Sequence, residues 1–293
     1  MIHLLQKMVA CFFVMLSILA CSEENFPQIE KQLPVAVMRD FAQRFGDVSI
    51  ASYTIYSEDI EIKFTDAGQN QSTAFYVDNQ WSMTVTNLSD LEKLPRLISK
   101  QLSQTPYAKL NPEQILGIER IERRELSHVL YTLKFTYPYH EYQRMYHEVL
   151  LNEDGTQLLV RRECSNDQRN FVSLVQSELD YIQVHYAGAD IRGYINDGGD
   201  DCFLFVHDGI LKQIYFDNTN RNRPEEWSWK KTISPLPVDA SIPASVLAHL
   251  KATDPTFHYT EVFFIETPDG NGYMFIDGES ANRLGYTIGD GSV

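Results

Sequence analysis

The chain has 293 residues, with 25 Lys and Arg against 40 Asp and Glu and a net charge of −15. At 43% hydrophobic and 12% aromatic it can bury a real core, and its length suits two domains of ordinary size. Its charges are dispersed and mostly acidic, so a polyanionic nucleic acid is repelled and is excluded as a partner.

Behind Lys7, Met8 to Leu19 is a nearly unbroken apolar run of twelve residues. It is too short to span a bilayer and suits the apolar region of a signal peptide. It ends in Ile18-Leu19-Ala20-Cys21. A small residue directly before Cys resembles the lipobox of bacterial lipoproteins. The resemblance implies cleavage before Cys21, lipidation of its thiol and a membrane anchor made of acyl chains alone. An ordinary secretory peptide cut nearby is the other reading. The acidic Ser22-Glu23-Glu24 looks like the surface-export signal of Bacteroidetes lipoproteins, which implies an outer-membrane protein exposed on the cell surface. Residues 1–20 are read as a signal peptide and 21–32 as a lipid-anchored tether. Loss of Lys7 moves the net charge to −16.

The fold is expected to begin at LPVAVMRDFAQRF, where Pro34 suits a first helical turn and Val37, Phe41 and Phe45 with Met38 and Ala42 form one stripe. Strands are predicted at VSIASYTIY, at the alternating Ile60, Ile62 and Phe64, at TAFYVD and at WSMTVT. A helix from Pro95 carries Leu97, Ile98 and Leu102, followed by strands at ILGIERIE, HVLYTLKFTY, MYHEVLL and QLLVRR. Glu153-Asp154-Gly155 is a turn with Gly at the position that needs positive φ. A third unit opens at FVSLVQSEL, with strands DIRGYI, CFLFVHD and LKQIYFDN; a fourth opens at Pro243, with TEVFFIE, GYMFID and LGYTI.

The halves repeat. Trp81 and Trp229 each open a strand with Thr three residues on (Thr84, Thr232), and Leu94-Pro95 and Ile242-Pro243 fall thirteen and fourteen residues after the Trp. Phe75 to Asn79 (FYVDN) aligns with Ile214 to Asn218 (IYFDN), and Glu119 and Tyr131 align with Glu261 and Tyr273. Recurrence at this length signals duplicated structure. Each unit is a helix followed by antiparallel strands, an α+β arrangement with helices packed on antiparallel sheets. A 65-residue unit has a marginal core, so each Trp is read as a packing joint where the next helix lands; an exposed, ligand-stacking Trp is the alternative.

The order of these motifs (LP-helix, strands, F-Y-x-D-x-x-W, loop, LP-helix, strands, D-G) resembles the PepSY-like, or β-lactamase-inhibitor-protein-like, domains of Bacteroidetes lipoproteins. The resemblance implies tandem α+β units, here two similar domains at 33–165 and 166–293. It implies binding, including inhibitor-like binding, and no catalytic residues.

The paired carboxylates Glu23-Glu24, Asp200-Asp201 and Glu225-Glu226 lie in polar surroundings and read as solvated. His140, His147 and Glu148 fit no zinc spacing, and the acidic turns fit no Ca²⁺ loop. No nucleophile motif or phosphate loop is present, so no enzyme, metal or cofactor is expected. Cys11 leaves with the signal peptide and Cys21 is lipidated, so Cys164 and Cys202 either pair or stay as buried thiols. Two stretches could bind. Tyr137, Tyr139 and Tyr142 lie in TYPYHEYQRMY, at a strand–loop–strand tip. Arg221, Arg223 and Trp227 lie in the insert RNRPEEW. Each has a packing alternative, in which the rings cover their own sheet. The expected function is non-catalytic binding of a protein or peptide at the envelope, with a carbohydrate-binding surface lipoprotein and a structural component as rivals.

Overall fold

The computed structural model describes residues 32–57, 59–103, 111–140, 143–155, 157–162, 173–197, 199–217, 227–237, 239–277 and 285–289. Helix α1 (Val35–Phe45) precedes β1 (Ile50–Tyr56), β2 (Asp59–Thr65), β3 (Gln71–Val77) and β4 (Gln80–Leu88). Helix α2 (Arg96–Ser103) precedes β5 (Ile115–Arg123), β6 (Leu130–His140), β7 (Gln143–Asn152) and β8 (Gln157–Arg162). The second half repeats this order: α3 (Gln176–His185), β9 (Asp190–Asp197), β10 (Asp200–His207), β11 (Ile210–Asp217), β12 (Ser228–Leu236), α4 (Ala244–Thr253), β13 (Glu261–Thr267), β14 (Gly270–Ile276) and β15 (Gly285–Gly289). Strands β1–β8 form an eight-stranded antiparallel sheet and β9–β15 a seven-stranded one, each in unbroken chain order. The architecture is α+β in two similar halves, as expected. The expected boundary at 165/166 lies outside the described residues, and Val35 to Val293 form a single compact unit.

The two sheets share one core. Phe75, Met83, Val85, Ile121, Leu130 and Leu150 from the first meet Ile195, Cys202, Leu204, Tyr215, Ile233 and Ile265 from the second. Strand residues alternate between faces, so the intervening side chains point outward, where the helices cover them. Helix α2 buries Ile98 and Leu102 against Ile118, Leu133 and Phe135, while Leu97 of the predicted stripe is 54% exposed. Helix α4 buries Val246 and Leu250 against Val262, Phe275 and Ile288. Helix α3 begins at Gln176, later than the sequence suggested, and packs Leu179 and Ile182 on Phe203, Phe205 and Phe216. Helix α1 buries Val37 and Phe41, the latter edge-on to Phe64 at 5.0 Å between centroids. Met38, assigned to its apolar stripe, is 47% exposed.

Polar links also join the halves. Arg192 on β9 donates to Asp190 at 2.7 Å and to Asp154 at 2.8 Å, and His128 Nε2 lies 2.9 Å from Asp190 Oδ1.

The repeat is visible in hydrogen bonds. Ser99 N donates to Pro95 O at 3.0 Å, and Leu247 N donates to Pro243 O at 3.2 Å, so each Pro carbonyl accepts the first helical bond. β4 bulges opposite the Phe75–Tyr76 step of β3, and β12 bulges opposite the Tyr215–Phe216 step of β11, and beyond each bulge stands a Trp: Tyr76 opposite Trp81, Phe216 opposite Trp229. This register corrects the sequence alignment by one residue, since Tyr76 matches Phe216 and not Tyr215. A one-residue slip moves a side chain to the other face: Tyr215 lies in the core between the sheets, while Phe216 packs under α3. The Glu match also moves. Thr84 lies opposite Glu122 and Thr232 opposite Glu266, so these acids correspond, whereas Glu261 pairs with Ile276 at a strand start. The Tyr131–Tyr273 match holds, because their partners Arg120 and Phe264 lie two residues before those acids.

Two glycines with positive φ test the packing. At Gly155 (φ +85) an added Cβ would meet the Leu97 carbonyl oxygen at 2.8 Å, whereas at Gly46 (φ +73) it would meet nothing within 4 Å. Gly46→Ala therefore carries only the left-handed strain, about 1–2 kcal/mol. Gly155→Ala adds a backbone clash between the β7–β8 turn and α2. In thermal denaturation Gly155→Ala should lower Tm clearly more than Gly46→Ala; equal shifts would contradict the tight approach.

Candidate functional site

Both Trp residues make the same local lock. Trp81 Nε1 donates to Thr84 Oγ1 at 2.8 Å, and Trp229 Nε1 to Thr232 Oγ1 at 3.1 Å. The joint was expected at the following helix, and the contacts of both rings run to the preceding one. Trp229 lies against Phe216, Tyr181 and the rest of the α3 cluster, and the Arg44 guanidinium of α1 sits 4.2 Å over the Trp81 ring. Each Trp thus clasps the helix before it. The reason is parity: beyond the bulge each Trp turns to its sheet's outer face, under the helix that crosses β2–β4 or β10–β12.

Arg44 is aimed by a chain of bonds. It donates to Asp40 Oδ2 at 2.8 Å, and the fully buried Tyr76 hydroxyl donates to the same oxygen at 3.0 Å. Burial above all, and then that hydrogen bond, push the Tyr76 phenol above its ordinary range.

Beside this chain the outer face of the first sheet holds a cavity of about 420 Å³. Its apolar walls include Phe45, Phe64 and Trp81, and its polar groups include Asp66, Arg120 and Glu122. The floor is made of hydroxyls: Ser72 Oγ and Thr86 Oγ1 lie 2.9 Å apart, and Thr84 accepts from Trp81. Arg120 donates to Glu122 at 2.6 Å, so this cation is already paired. At the rim Lys93 donates to Asn70 at 2.6 Å, and the Asn70 backbone donates to Asp66 at 2.7 Å. The cavity offers flat apolar surface with converging donors and acceptors, the mixture that fixes the orientation of a small group. A larger hollow of about 670 Å³ between Leu88–Glu92 and Pro112–Ile118 has an apolar floor and an acidic rim, with no comparable convergence.

In the second sheet a phenol stands at the matching place. Val35 and Gln176 open the two helices, and Ile50 lies opposite Phe64 as Ile191 lies opposite Phe205, so Phe45 corresponds to Tyr186. Phe45 lies on Phe64 at 4.7 Å, and its counterpart Tyr186 adds a hydroxyl. That ring lies 4.9 Å from Phe205, its hydroxyl donates to Thr232 at 3.0 Å, and Lys212 Nζ sits 5.2 Å over it. Tyr181 stacks on His185 at 4.0 Å beside it.

The residues singled out in the sequence fall elsewhere. Cys21, Tyr142, Cys164, Arg221 and Arg223 lie outside the described residues. Tyr137 and Tyr139 are on β6 near the tip of the β6–β7 hairpin, with side chains outside the described part. Cys202 is fully buried between the sheets. Trp227 is half-buried, with Phe216 at 5.1 Å and Tyr181 at 5.7 Å, and its Nε1 donates to Ser177 at 2.6 Å. One reading is corrected outright. Asp201 is fully buried, accepting from Tyr194 Oη and from Asn196 at 3.2 Å, while its neighbour Asp200 pairs with Lys230 at 2.8 Å. β10 is covered on both faces, so alternation buries the second carboxylate of the pair. Sequence reasoning passed over Arg44, Asp66, Ser72, Arg120 and Glu122. No motif marks them, because only the packing of α1 on β2–β5 brings them together.

No protein-family model and no curated protein matches the sequence. Among solved structures, a BLIP-like protein from Bacteroides fragilis covers 47% of this chain and 92% of its own, at 12% identity and a TM-score of 0.39. DUF2874 family proteins from Bacteroides ovatus and Bacteroides uniformis each cover 45% of this chain, and 88% and 90% of their own, at 15% and 10% identity and TM-scores of 0.38 and 0.37.

A phenol held protonated by the fold gives stability that is intact below its unfolded value, about pH 10, and is lost as the pH rises above it. Tyr76→Phe removes one such group. Between about pH 9 and 11 the variant should lose less Tm than the parent chain, although it starts lower for want of the bond to Asp40. Parallel curves would show that Tyr76 does not resist ionisation.

Proposed function

We propose that the protein is a non-catalytic, lipid-anchored lipoprotein of the cell envelope, PepSY-like in class, that binds a protein or peptide over the outer face of its first sheet. The observation that carries this reading is the cavity beneath Arg44 and Trp81, walled by Phe45 and floored by the hydroxyls of Ser72, Thr84 and Thr86. Its floor hydroxyls satisfy one another and its wall rings are packed, so it is built before anything enters. Such preorganisation lowers the cost of binding. The net charge of −15 favours a partner surface that is not strongly acidic. Among the described residues no helix is long and apolar enough to cross a membrane, and the anchor proposed is acylated Cys21.

The docking reading is tested with a photo-crosslinking residue at Lys93, on the cavity rim, and at Val184, 77% exposed on α3 of the other half. In cells the Lys93 position should yield one discrete adduct that Arg44→Glu abolishes, and the Val184 position none. Capture independent of Arg44, or equal at both positions, would contradict it; an adduct of polysaccharide would favour the carbohydrate reading.

The anchor has its own test. Cys21→Ser should move the protein from the membrane to the soluble fraction, and the parent's N-terminal peptide should carry acyl mass. An unmodified N-terminal peptide would sink the lipoprotein assignment.

A further inference from the structure

The eight-stranded sheet ends at β1 and β8, and the seven-stranded sheet at β9 and β15. A free edge presents alternate N–H and C=O groups to any strand that reaches it, and proteins guard such edges with charge or by keeping them short. Three of these edges are guarded. β8 (QLLVRR) carries Arg161 and Arg162, β9 (DIRGYIND) carries Asp190, Arg192 and Asp197, and β15 (GYTIG) has only five residues. β1 (IASYTIY) is seven residues long, with no charge, Pro or Gly. Its residues Ala51 to Thr54 and Tyr56 are exposed. Among the described residues no strand lies on its far side, and the core between the sheets takes side chains from β3–β7 and none from β1 or β2. The β1 edge therefore overhangs the second sheet.

We propose that β1 pairs with β1 of a second copy of this chain, antiparallel about a two-fold axis at Thr54, and so joins two eight-stranded sheets into one. The register follows from β1 itself. Ile50 and Ser52 take the consecutive partners Phe64 and Lys63, so a bulge at Ala51 leaves Ser52–Tyr56 as the regular ladder, with Thr54 at its centre. Tyr56 lies opposite Asp59 with two residues between them, and the pair that closes such a hairpin exchanges both hydrogen bonds. By alternation Ser52 and Thr54 also bond β2, and Tyr53 and Ile55 turn their N–H and C=O groups to the open side. The axis at Thr54 sets Tyr53 opposite the partner's Ile55 and Ile55 opposite the partner's Tyr53, so these open groups meet. It also sets Thr54 opposite the partner's Thr54. Aromatic–β-branched pairs and facing threonines stabilise antiparallel ladders. The strand is thus complementary to itself, as a two-fold contact requires. Absence of charge favours the same occupant: two chains of net charge −15 repel where charged surfaces meet, and at this edge they meet with no charge opposed. The pairing does not rest on the docking reading above, since no β1 residue is among those that line the cavity.

The test places single cysteines in the full-length chain, oxidises them in cells with copper–phenanthroline and reads dimer on a non-reducing gel, with the parent chain as background for its own thiols. Residues that face each other at a non-hydrogen-bonded position of an antiparallel ladder have Cα atoms about 4.5 Å apart, within reach of a disulfide. Thr54→Cys should give a linked dimer well above background. Ser52→Cys and Tyr56→Cys should each give little alone and a dimer when the two are co-expressed, because the register sets one opposite the other. Tyr53→Lys, which supplies the charge that β8 and β9 carry, should abolish the Thr54→Cys dimer with Tm unchanged. No dimer from Thr54→Cys, equal dimer from all three variants alone, or a Thr54→Cys dimer that survives Tyr53→Lys overturns the pairing. A Thr54→Cys disulfide to a different protein puts a foreign strand at the edge and overturns the second copy as its occupant.

Discussion

Burial of both faces of both sheets is the constraint on which the rest of the structure depends. The inner faces make one core, so each outer face must be covered by helices. The helices are too few to do this alone. Eight strands spaced about 4.8 Å apart span roughly 34 Å, whereas two helices side by side cover roughly 20 Å. A strip over the middle strands is left for side chains to close. In the second half Tyr181, Tyr186, Trp227 and Trp229 close it. In the first half Trp81, Arg44 and Phe45 close it in part, and the remainder is the cavity.

The same constraint explains how much the sequence disclosed. Fourteen of the fifteen strands coincide with predicted runs or alternations, and β12 with the repeated Trp motif, because β-branched and aromatic clusters between turn residues mark a strand without tertiary information. The helices starting at Pro95 and Pro243 were legible because Pro fixes where a helix can start. Face assignment was harder. A strand covered on both sides loses its alternation, and β10 (DDCFLFVH) offers no pattern that separates Asp200 from Asp201. The bulges on β4 and β12 compound this. Their extra residue changes parity midway, and no turn residue announces it, so the face of each Trp was not legible. The FYVDN alignment slipped by one because like letters were matched where register sets the pairing.

The candidate site was less legible still, for a physical reason. Its residues come from α1, β4, β5 and the β2–β3 hairpin, and apart from the repeated Trp81 and Thr84 none belongs to a motif; only packing brings Arg44 to Trp81 or Glu122 to Thr84. Aromatic clustering drew attention to the β6–β7 tip and the 221–227 insert instead. Trp227 shows the weakness of that cue. An indole next to a sheet-rich run is as useful for covering a helix as for gripping a ligand, and here it bonds Ser177 at the start of α3.

Duplication makes the cavity interpretable without a ligand. Two copies of one scaffold share the bulge, the Trp–Thr lock and the Thr–Glu pair, which are costly to change because each satisfies buried polar groups. They differ at the ring that ends the first helix of each half: Phe45 lies on Phe64 at 4.7 Å, and Tyr186 lies on Phe205 at 4.9 Å with a hydroxyl that reaches Thr232. Phe45 has no hydroxyl to offer Thr84. The first half also exchanges two neighbours: Lys212 is matched by Ser72, which bonds Thr86, and Phe264 is matched by Arg120, which bonds Glu122. The polar groups around the hollow are thus bonded to one another, and a hollow finished in this way stands open to water without an unpaired group at its floor.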